Sequence, residues 1–177
     1  MAANPPSVAI EVDPDTGIWT TDGMPMIYMP RHFFLNNHLA VERALGRDVY
    51  ARQLYDAGYR SAWQWCERES KTHGLRGLDV FRHYMKRVSQ RGWAQFTISA
   101  LNGETGAATV RLDHSVFIYG EGNATGARVC YMFAGWMPGS LEWAAQDSGK
   151  FWKLAGEEVQ CACEKGHDHC LFEICPA

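Results

Sequence analysis

The 177-residue sequence has no apolar run approaching the roughly 18 residues that a membrane-spanning helix needs, so we expect no membrane span. It also has no basic block. With 17 Lys and Arg against 20 Asp and Glu, the formal charge is −3, which argues against binding nucleic acid by phosphate neutralisation. Residues 1–16 lack the basic and apolar regions of a secretory signal, and no glycine-rich dinucleotide loop is present. We therefore expect a cytoplasmic protein and find no sequence motif for nucleotide-dependent catalysis.

The composition is that of a globular protein. Apolar residues make up 46% and aromatic residues 12%, including seven tryptophans, whose rings fill cores or line apolar pockets. Residues 1–16 hold three prolines and two aspartates, and we interpret them as a flexible N-terminal arm. Residues 17–177 are long enough to form a single domain with a substantial core.

Periodicity predicts hairpins and helices in alternation. Turn signals at 20–23 and at 102–106 predict two hairpins, the second joining strands at 93–101 and 107–117. Helices are predicted from Pro30 to Gly46, from an N-cap at Asp48, and over 78–90. A further helix is predicted over 129–146, and 120–126 is predicted to be a loop. The order favours an α+β fold in which helices pack on one side of an antiparallel sheet.

Three local features carry further expectations. Gly58 inside the second helix indicates close packing, since glycine there costs about 1 kcal/mol against alanine. Pro138 and Gly139 are expected to break or kink the last helix, with Ser140 capping a restart. His114 would share a strand face with Val110, Leu112 and Val116.

Four of the six cysteines and two histidines fall within residues 158–175. Without an export signal, free thiols with a metal are favoured over disulfides. A hairpin is predicted here, with strands at 159–163 and 171–174. Cys161 and Cys170 flank its turn, Glu158 precedes Cys161 by three residues, and Cys130 is a candidate for the fourth ligand. Three thiolates and a carboxylate suit zinc; the alternative is a set of buried free cysteines that pack as small hydrophobes.

Four segments of the chain recur, in order, in a known family. They are Gly92-Trp93, the stretch 110–117, the stretch 127–130 followed by Gly135 and Gly139, and a C-terminal motif running from Glu158 and Cys161 to Gly166, His167, Cys170 and Phe172. Together they resemble the 4-vinyl-reductase-type, or hydrocarbon-binding, domain, which includes the sensor domains of phenol- and toluene-responsive activators. The resemblance covers about residues 17–175. It extends more distantly to Bet-type subunits of TRAPP complexes and to NO-signalling domains.

The resemblance implies an antiparallel sheet with helices enclosing an apolar chamber, and it implies a homodimer. It also implies a structural zinc held by Cys130, Glu158, Cys161 and Cys170. Here Cys161 and Cys170 lie one residue further apart than is usual in that family, so Cys163 remains open as a substitute for Cys161. His167 and His169 would lie beside the metal or face solvent, and Cys175 would pack.

Ligand contacts follow from the same resemblance and from the aromatic pattern. Trp93 matches a pocket tryptophan of the phenol sensors, with strand packing as the alternative. The sensors also use a histidine from the helical half, for which His38, His73 and His83 are all open. The remaining candidates for the chamber lining, each with ordinary core packing as the alternative, are Tyr59, Trp63, Trp65, His114, Phe133 and Trp136.

Three functions from different classes remain open. The first is non-catalytic binding of a small apolar or aromatic molecule, with structural zinc, by a sensor, carrier or accessory protein of a bacterial catabolic or biosynthetic pathway. Such a protein would act through a downstream protein partner. The second is an enzyme or enzyme accessory, reductase-like or zinc-assisted, which would need an open metal position. The third is a dimerising assembly subunit.

Overall fold

A computed structural model describes residues 7–118 and 126–177. Its helices are α1 (Arg31–Leu45), α2 (Arg47–His73), α3 (Leu78–Gln90) and α4 (Tyr131–Asp147). Its strands are β1 (Glu11–Val12), β2 (Trp19–Thr21), β3 (Met24–Met26), β4 (Gln95–Leu101), β5 (Ala108–Asp113), β6 (Leu154–Gln160) and β7 (Cys170–Pro176). No helix of the described ranges is both long and apolar enough to cross a membrane.

The main sheet is antiparallel, with strand order β4-β5-β7-β6. Helices α3 and α4 pack against it, and α2 packs against α4, so the core lies between the sheet and these helices. The predicted α+β class is confirmed. The N-terminal hairpin does not join the main sheet, because β2 and β3 pair with β1 in a small sheet of their own. Strand β1 lies inside the predicted arm, of which residues 1–6 fall outside the described ranges.

Both predicted hairpin turns are confirmed. At the first, Asp22 and Gly23 take φ values of 52° and 68°, which suits the two central residues of a tight hairpin turn. At the second, the Asn102 side chain accepts hydrogen bonds from the backbone N–H groups of Glu104 and Thr105. Gly106 closes this turn at a φ of 77°. The predicted loop at 120–126 falls almost entirely on residues 119–125, outside the described ranges.

The predicted bounds of α1 and α3 are confirmed to within one residue. The N-cap predicted at Asp48 is wrong: α2 starts at Arg47, and Gly46, with a φ of 80°, separates it from α1. A single glycine outside the right-handed region is enough to end one helix and begin the next. Asp48 lies instead in the first turn of α2, where a negative charge is favourable.

Helix α4 continues through Pro138, so the predicted break and the restart at Ser140 are wrong. The Ser140 hydroxyl donates to the carbonyl oxygen of Trp136 at 2.8 Å, bonding back along the helix instead of capping a new one. Proline has no N–H for the carbonyl of Ala134 four residues earlier. Gly156 of β6 lies against that carbonyl, and a side chain at residue 156 would collide with it.

Strand β5 ends at Asp113. The prediction that His114 and Val116 continue the strand face of Val110 and Leu112 is therefore wrong. His114 has a φ of 59°, which takes the chain out of the strand and leaves this residue exposed. The C-terminal hairpin is also shifted. Strand β6 runs from 154 to 160, so the predicted strand at 159–163 is mostly loop. The returning strand is as predicted, with Phe172 and Ile174 buried on one face.

Helices α2 and α4 approach backbone to backbone. A methyl group on Gly58 would meet the carbonyl oxygen of Met132, and one on Gly135 would meet that of Tyr55. The predicted close packing at Gly58 is therefore confirmed. This contact fixes the position of α4, and Cys130 directly precedes that helix.

Candidate metal and ligand sites

Four of the predicted metal ligands converge where α4 begins beside β6 and β7. Cys130 precedes α4, Glu158 lies on β6, Cys161 follows β6, and Cys170 opens β7. One donor atom from each lies within 4.8 Å of the others, and all four residues are buried. The backbone N–H of Cys130 donates to Glu158 Oε2 at 3.0 Å, which ties the helix to the strand.

The spacing of the sulfur atoms fits a tetrahedral zinc ion. Cys170 Sγ lies 4.0 Å from Cys130 Sγ and 3.9 Å from Cys161 Sγ. Zn–S bonds of about 2.3 Å at tetrahedral angles would place the sulfurs about 3.8 Å apart. Backbone N–H groups of Ala162 and Cys163 point at the sulfurs of Cys170 and Cys161, both at 3.4 Å. Donors of this kind stabilise thiolates around a metal.

The electrostatics of the cluster are those of buried acids that share protons. Hydrogen bonds from the Cys130, Cys163 and Cys170 thiols hold the pKa of Cys161 far below its usual value. Burial raises the pKa of Cys130 well above its usual value and that of Glu158 to about 8. The second carboxyl oxygen of Glu158 is buried without a hydrogen-bond partner in the described ranges. A cation would both satisfy that oxygen and compensate the thiolates, so the donor set fits zinc.

Cys163 lies beside this cluster but is not among the four converging donors. Its backbone N–H bonds to Cys161 Sγ, and it lies in the turn after β6, where the Glu164 N–H donates to the Cys161 carbonyl oxygen at 2.9 Å. His169 bonds instead to Asp168 and approaches Gln160, and His167 is exposed. Cys175, expected to pack, is exposed because alternation along β7 places it on the face opposite to Phe172 and Ile174.

A cluster of aromatic rings fills the space between the helices and the sheet. Trp136 contacts Phe133 at a centroid distance of 4.9 Å and Trp93 at 5.2 Å. Trp65 joins through Tyr84, at 4.5 Å from it. Four of the residues predicted to line a chamber, Trp65, Trp93, Phe133 and Trp136, are thus brought together in one packed cluster of rings.

Three polar atoms in this ring cluster are buried with no hydrogen-bond partner in the described ranges. They are the indole nitrogens of Trp65 and Trp136 and the Nε2 atom of His38. His38 is 2% exposed, bonds to the Tyr50 hydroxyl at 3.0 Å through Nδ1, and packs on Phe117 at 4.8 Å. Of the three histidines left open by the sequence, His38 packs among the rings, whereas His83 reaches only Trp65 at the edge of the cluster, with ring centroids 5.8 Å apart, and His73 contacts His83.

Three predicted ligand contacts, Tyr59, Trp63 and His114, lie away from the ring cluster. Tyr59 stacks on Trp63 and donates its hydroxyl proton to Glu142 at 2.6 Å. Burial raises the pKa of Tyr59 above its usual value. His114 is exposed at the end of β5, and its carbonyl accepts a hydrogen bond from Arg31.

The ring cluster also contains residues that the sequence analysis did not propose. Phe34 contacts both Trp93 and Phe117, and Phe96 contacts Phe133 at 5.2 Å. Phe34 and His38 lie four residues apart on α1, the spacing that places side chains on one helix face. That spacing could have indicated that Phe34 and His38 face the same neighbours. For Phe96 and Phe117, periodicity along the chain could not show which face packs against the helices.

Comparison with known proteins places the chain by family and by fold. Residues 4–99 match the model of a family described as Domain of unknown function (DUF5943). No curated protein matches the chain significantly.

Several solved structures share the fold, and three of them illustrate its range. The phenol-responsive sensory domain of the transcription activator PoxR, in complex with phenol, has a TM-score of 0.73 at 15% identity; the match covers 94% of this chain and 84% of that one. A trafficking protein particle complex subunit 3 from Naegleria fowleri, covalently bound to palmitic acid, has a TM-score of 0.57 at 13% identity, covering 83% and 95%. An H-NOX protein from S. oneidensis in the Fe(II)NO state has a TM-score of 0.54 at 13% identity, covering 87% and 79%.

Proposed function

The chain belongs to the DUF5943 family, and from this starting point we propose that it binds a small apolar or aromatic molecule without chemical conversion. The ring cluster is the binding region, and the cysteine cluster holds a structural zinc. The protein would act as a sensor, carrier or accessory protein of a bacterial catabolic or biosynthetic pathway, through a downstream protein partner. Its resemblance to 4-vinyl-reductase-type domains and its fold, shared with the PoxR sensory domain, support this proposal.

The observation that carries the ligand proposal is the set of buried polar atoms in the ring cluster that lack a hydrogen-bond partner in the described ranges: two indole nitrogens, and His38 Nε2, which lies 3.9 Å from Glu42 Oε2. A buried polar group without a partner costs about 1–3 kcal/mol. A small aromatic molecule with a hydroxyl or carbonyl group would offer an acceptor to the Trp136 indole N–H and a partner to His38 Nε2. Its ring would meet the edges and faces of Trp93 and Phe133.

Four protein donors around zinc leave no position for a bound water, so the zinc would be structural rather than catalytic. It would tie the start of α4 to the last two strands, and α4 carries Phe133 and Trp136. The metal would therefore hold one wall of the binding region in place. Native mass spectrometry before and after acid treatment tests this part: we expect a zinc mass and a co-purified organic mass, and finding neither would contradict the proposal.

Ligand binding is tested by calorimetric titration with phenol and with toluene as probes. We expect at least one probe to bind the full chain. The Trp136→Phe substitution should lower the affinity for phenol more than the affinity for toluene, because only phenol can accept the indole hydrogen bond. Trp152→Phe is the matched control, since the Trp152 indole bonds to the Glu104 carbonyl away from the ring cluster. Equal affinities in all three proteins would contradict the proposed position of the ligand.

An exposed apolar surface favours a second role, self-association or assembly. Ile27, Tyr28 and Phe33 are exposed by 76%, 85% and 59%, and all three lie between β3 and the first turn of α1. Monomeric proteins rarely expose a contiguous apolar patch of this kind. We propose a homodimer formed through it. Sedimentation analysis should give a dimer that Tyr28→Asp converts to monomer, whereas a monomeric wild type would contradict the proposal.

A further inference from the structure

A second group of metal-binding side chains lies far along the chain from the cysteine cluster. Glu69 and His73 occupy the last turns of α2, and His83 lies on α3. The His83 Nε2 atom is 2.8 Å from Glu69 Oε2, and the His73 Nε2 atom is 3.1 Å from the same oxygen. One donor atom from each of the three residues lies within 4.8 Å of the others.

These separations suit a shared ion. Ligands about 2.1 Å from a zinc-like ion would lie about 3.0 Å apart at right angles and about 3.4 Å apart at tetrahedral angles. The separation of 3.1 Å falls within that range and the separation of 2.8 Å lies just below it, so small side-chain rotations that move His83 away from Glu69 would admit an ion. The imidazole rings are already adjacent, with centroids 4.7 Å apart and planes inclined by 52°. Two imidazoles and one carboxylate are a donor set typical of divalent transition ions.

The carboxylate of Glu69 is an incompletely satisfied buried charge. Glu69 is 0% exposed, and its Oε1 atom has no hydrogen-bond partner in the described part of the chain. A carboxylate removed from water needs a cation or a full set of hydrogen bonds. Neutral imidazoles would supply hydrogen bonds to only one oxygen of the Glu69 carboxylate, whereas both carboxylate oxygens could bind an ion.

The neighbouring charges are accounted for. Arg87 and Arg91 lie close by, and each donates to a different oxygen of Asp22, at 3.0 and 2.9 Å. Asp22 thus takes the hydrogen bonds of both guanidinium groups, although the charge of Arg91 also interacts with Glu69. Asp22 Oδ1 also lies 3.7 Å from His73 Nε2, which places a second carboxylate at the open side of the group. The His73 side chain is 28% exposed, so an ion could enter from solvent.

We propose that Glu69, His73 and His83 form a second metal site, for a divalent transition ion that prefers imidazole ligands. It is independent of the cysteine cluster in both position and donor chemistry. Because Glu69 and His73 lie on α2 and His83 lies on α3, an ion would link these two helices, which carry Trp65 and Tyr84 of the ring cluster.

The test uses zinc as the probe and the full chain. Protein loaded with excess zinc is dialysed, and its metal content is measured for wild type, His83→Gln, His73→Gln and His32→Gln. We expect the two site variants to lose one zinc equivalent, with affinity falling by at least the roughly 10–100-fold seen when partners around a metal are removed. The matched control His32→Gln alters an exposed histidine of α1 and should retain wild-type metal content.

The Cys170→Ser variant distinguishes zinc in the cysteine cluster from zinc in the histidine site. It should lose the zinc equivalent of the cysteine cluster and keep that of the histidine site. A readout that needs no substitution is the imidazole nitrogen spectrum of wild type titrated with Co²⁺. Signals of His73 and His83 should broaden before that of His32. Unchanged His73 and His83 signals, or wild-type metal content in both site variants, would overturn the second site.

Discussion

Replacing Glu158 by Gln separates metal binding from folding at the cysteine cluster. In wild type, the Cys130 N–H donates to Glu158 Oε2 at 3.0 Å. The amide of glutamine keeps an acceptor oxygen for this N–H and keeps the side-chain length. Because burial raises the pKa of Glu158 to about 8, the metal-free side chain is protonated at pH 7, and a neutral amide replaces a neutral acid. We therefore expect wild type and variant to unfold at similar temperatures in the presence of a chelator.

With zinc the two proteins should differ. At free zinc 100 times the dissociation constant, wild type gains about 2.7 kcal/mol, or about 5–10 °C in Tm at roughly 2–4 °C per kcal/mol for a chain of this size. An amide is a poor replacement for an anionic ligand. If affinity falls by about 100-fold, the same zinc concentration stabilises the variant by only about 0.4 kcal/mol, or about 1 °C.

The assay is thermal unfolding followed by circular dichroism, with and without zinc. Glu157→Gln is the matched control: it removes the neighbouring carboxylate of β6, which is 73% exposed and pairs with Arg128 at 3.2 Å. This control should follow wild type. If zinc raises the Tm of Glu158→Gln as much as that of wild type, Glu158 is not a ligand. If zinc does not raise the Tm of wild type at all, zinc binding itself is refuted.

Three further predictions concern the helical half. Gly58→Ala should destabilise the fold by about 1–3 kcal/mol in urea titrations, despite the better helix propensity of alanine, because the methyl group meets the Met132 carbonyl. Burial lowers the pKa of His38 below its ordinary 6.5 in the folded protein. As the pH falls, this histidine is therefore protonated at a higher pH in the unfolded chain than in the folded one. Wild-type stability should therefore fall with pH below 6.5, and His38→Gln should reduce that slope in urea titrations from about pH 8 to 5. Tyr59→Phe should cost about 1–3 kcal/mol by removing the bond to Glu142, without changing phenol affinity.

Local rules predicted the elements whose causes are local. Helix α3 follows from apolar residues repeating along one face, and the turn after β4 follows from the Asn102 side chain and the positive φ of Gly106. The spacing of Glu158 and Cys161 likewise predicted that these residues would lie together, since neighbours in a hairpin remain neighbours in space. These features need few contacts from elsewhere in the chain.

Long-range packing decided the rest. Pro138 remains inside a continuous α4 because Gly156 and the α2 backbone enclose that helix, which outweighs the local preference for a break. The exposed position of His114 depends on a backbone reversal that periodicity cannot detect.

The two candidate sites divide in the same way. Sequence spacing alone indicated a metal cluster near the C-terminus, although Cys130 reaches it only because α4 packs against β6. The group of Glu69, His73 and His83 had no such signal, since only the crossing of α2 and α3 brings residues 69 and 83 together. Which aromatic rings face one another was also decided by the tertiary structure, because a helix or strand pattern defines a face but not its neighbour.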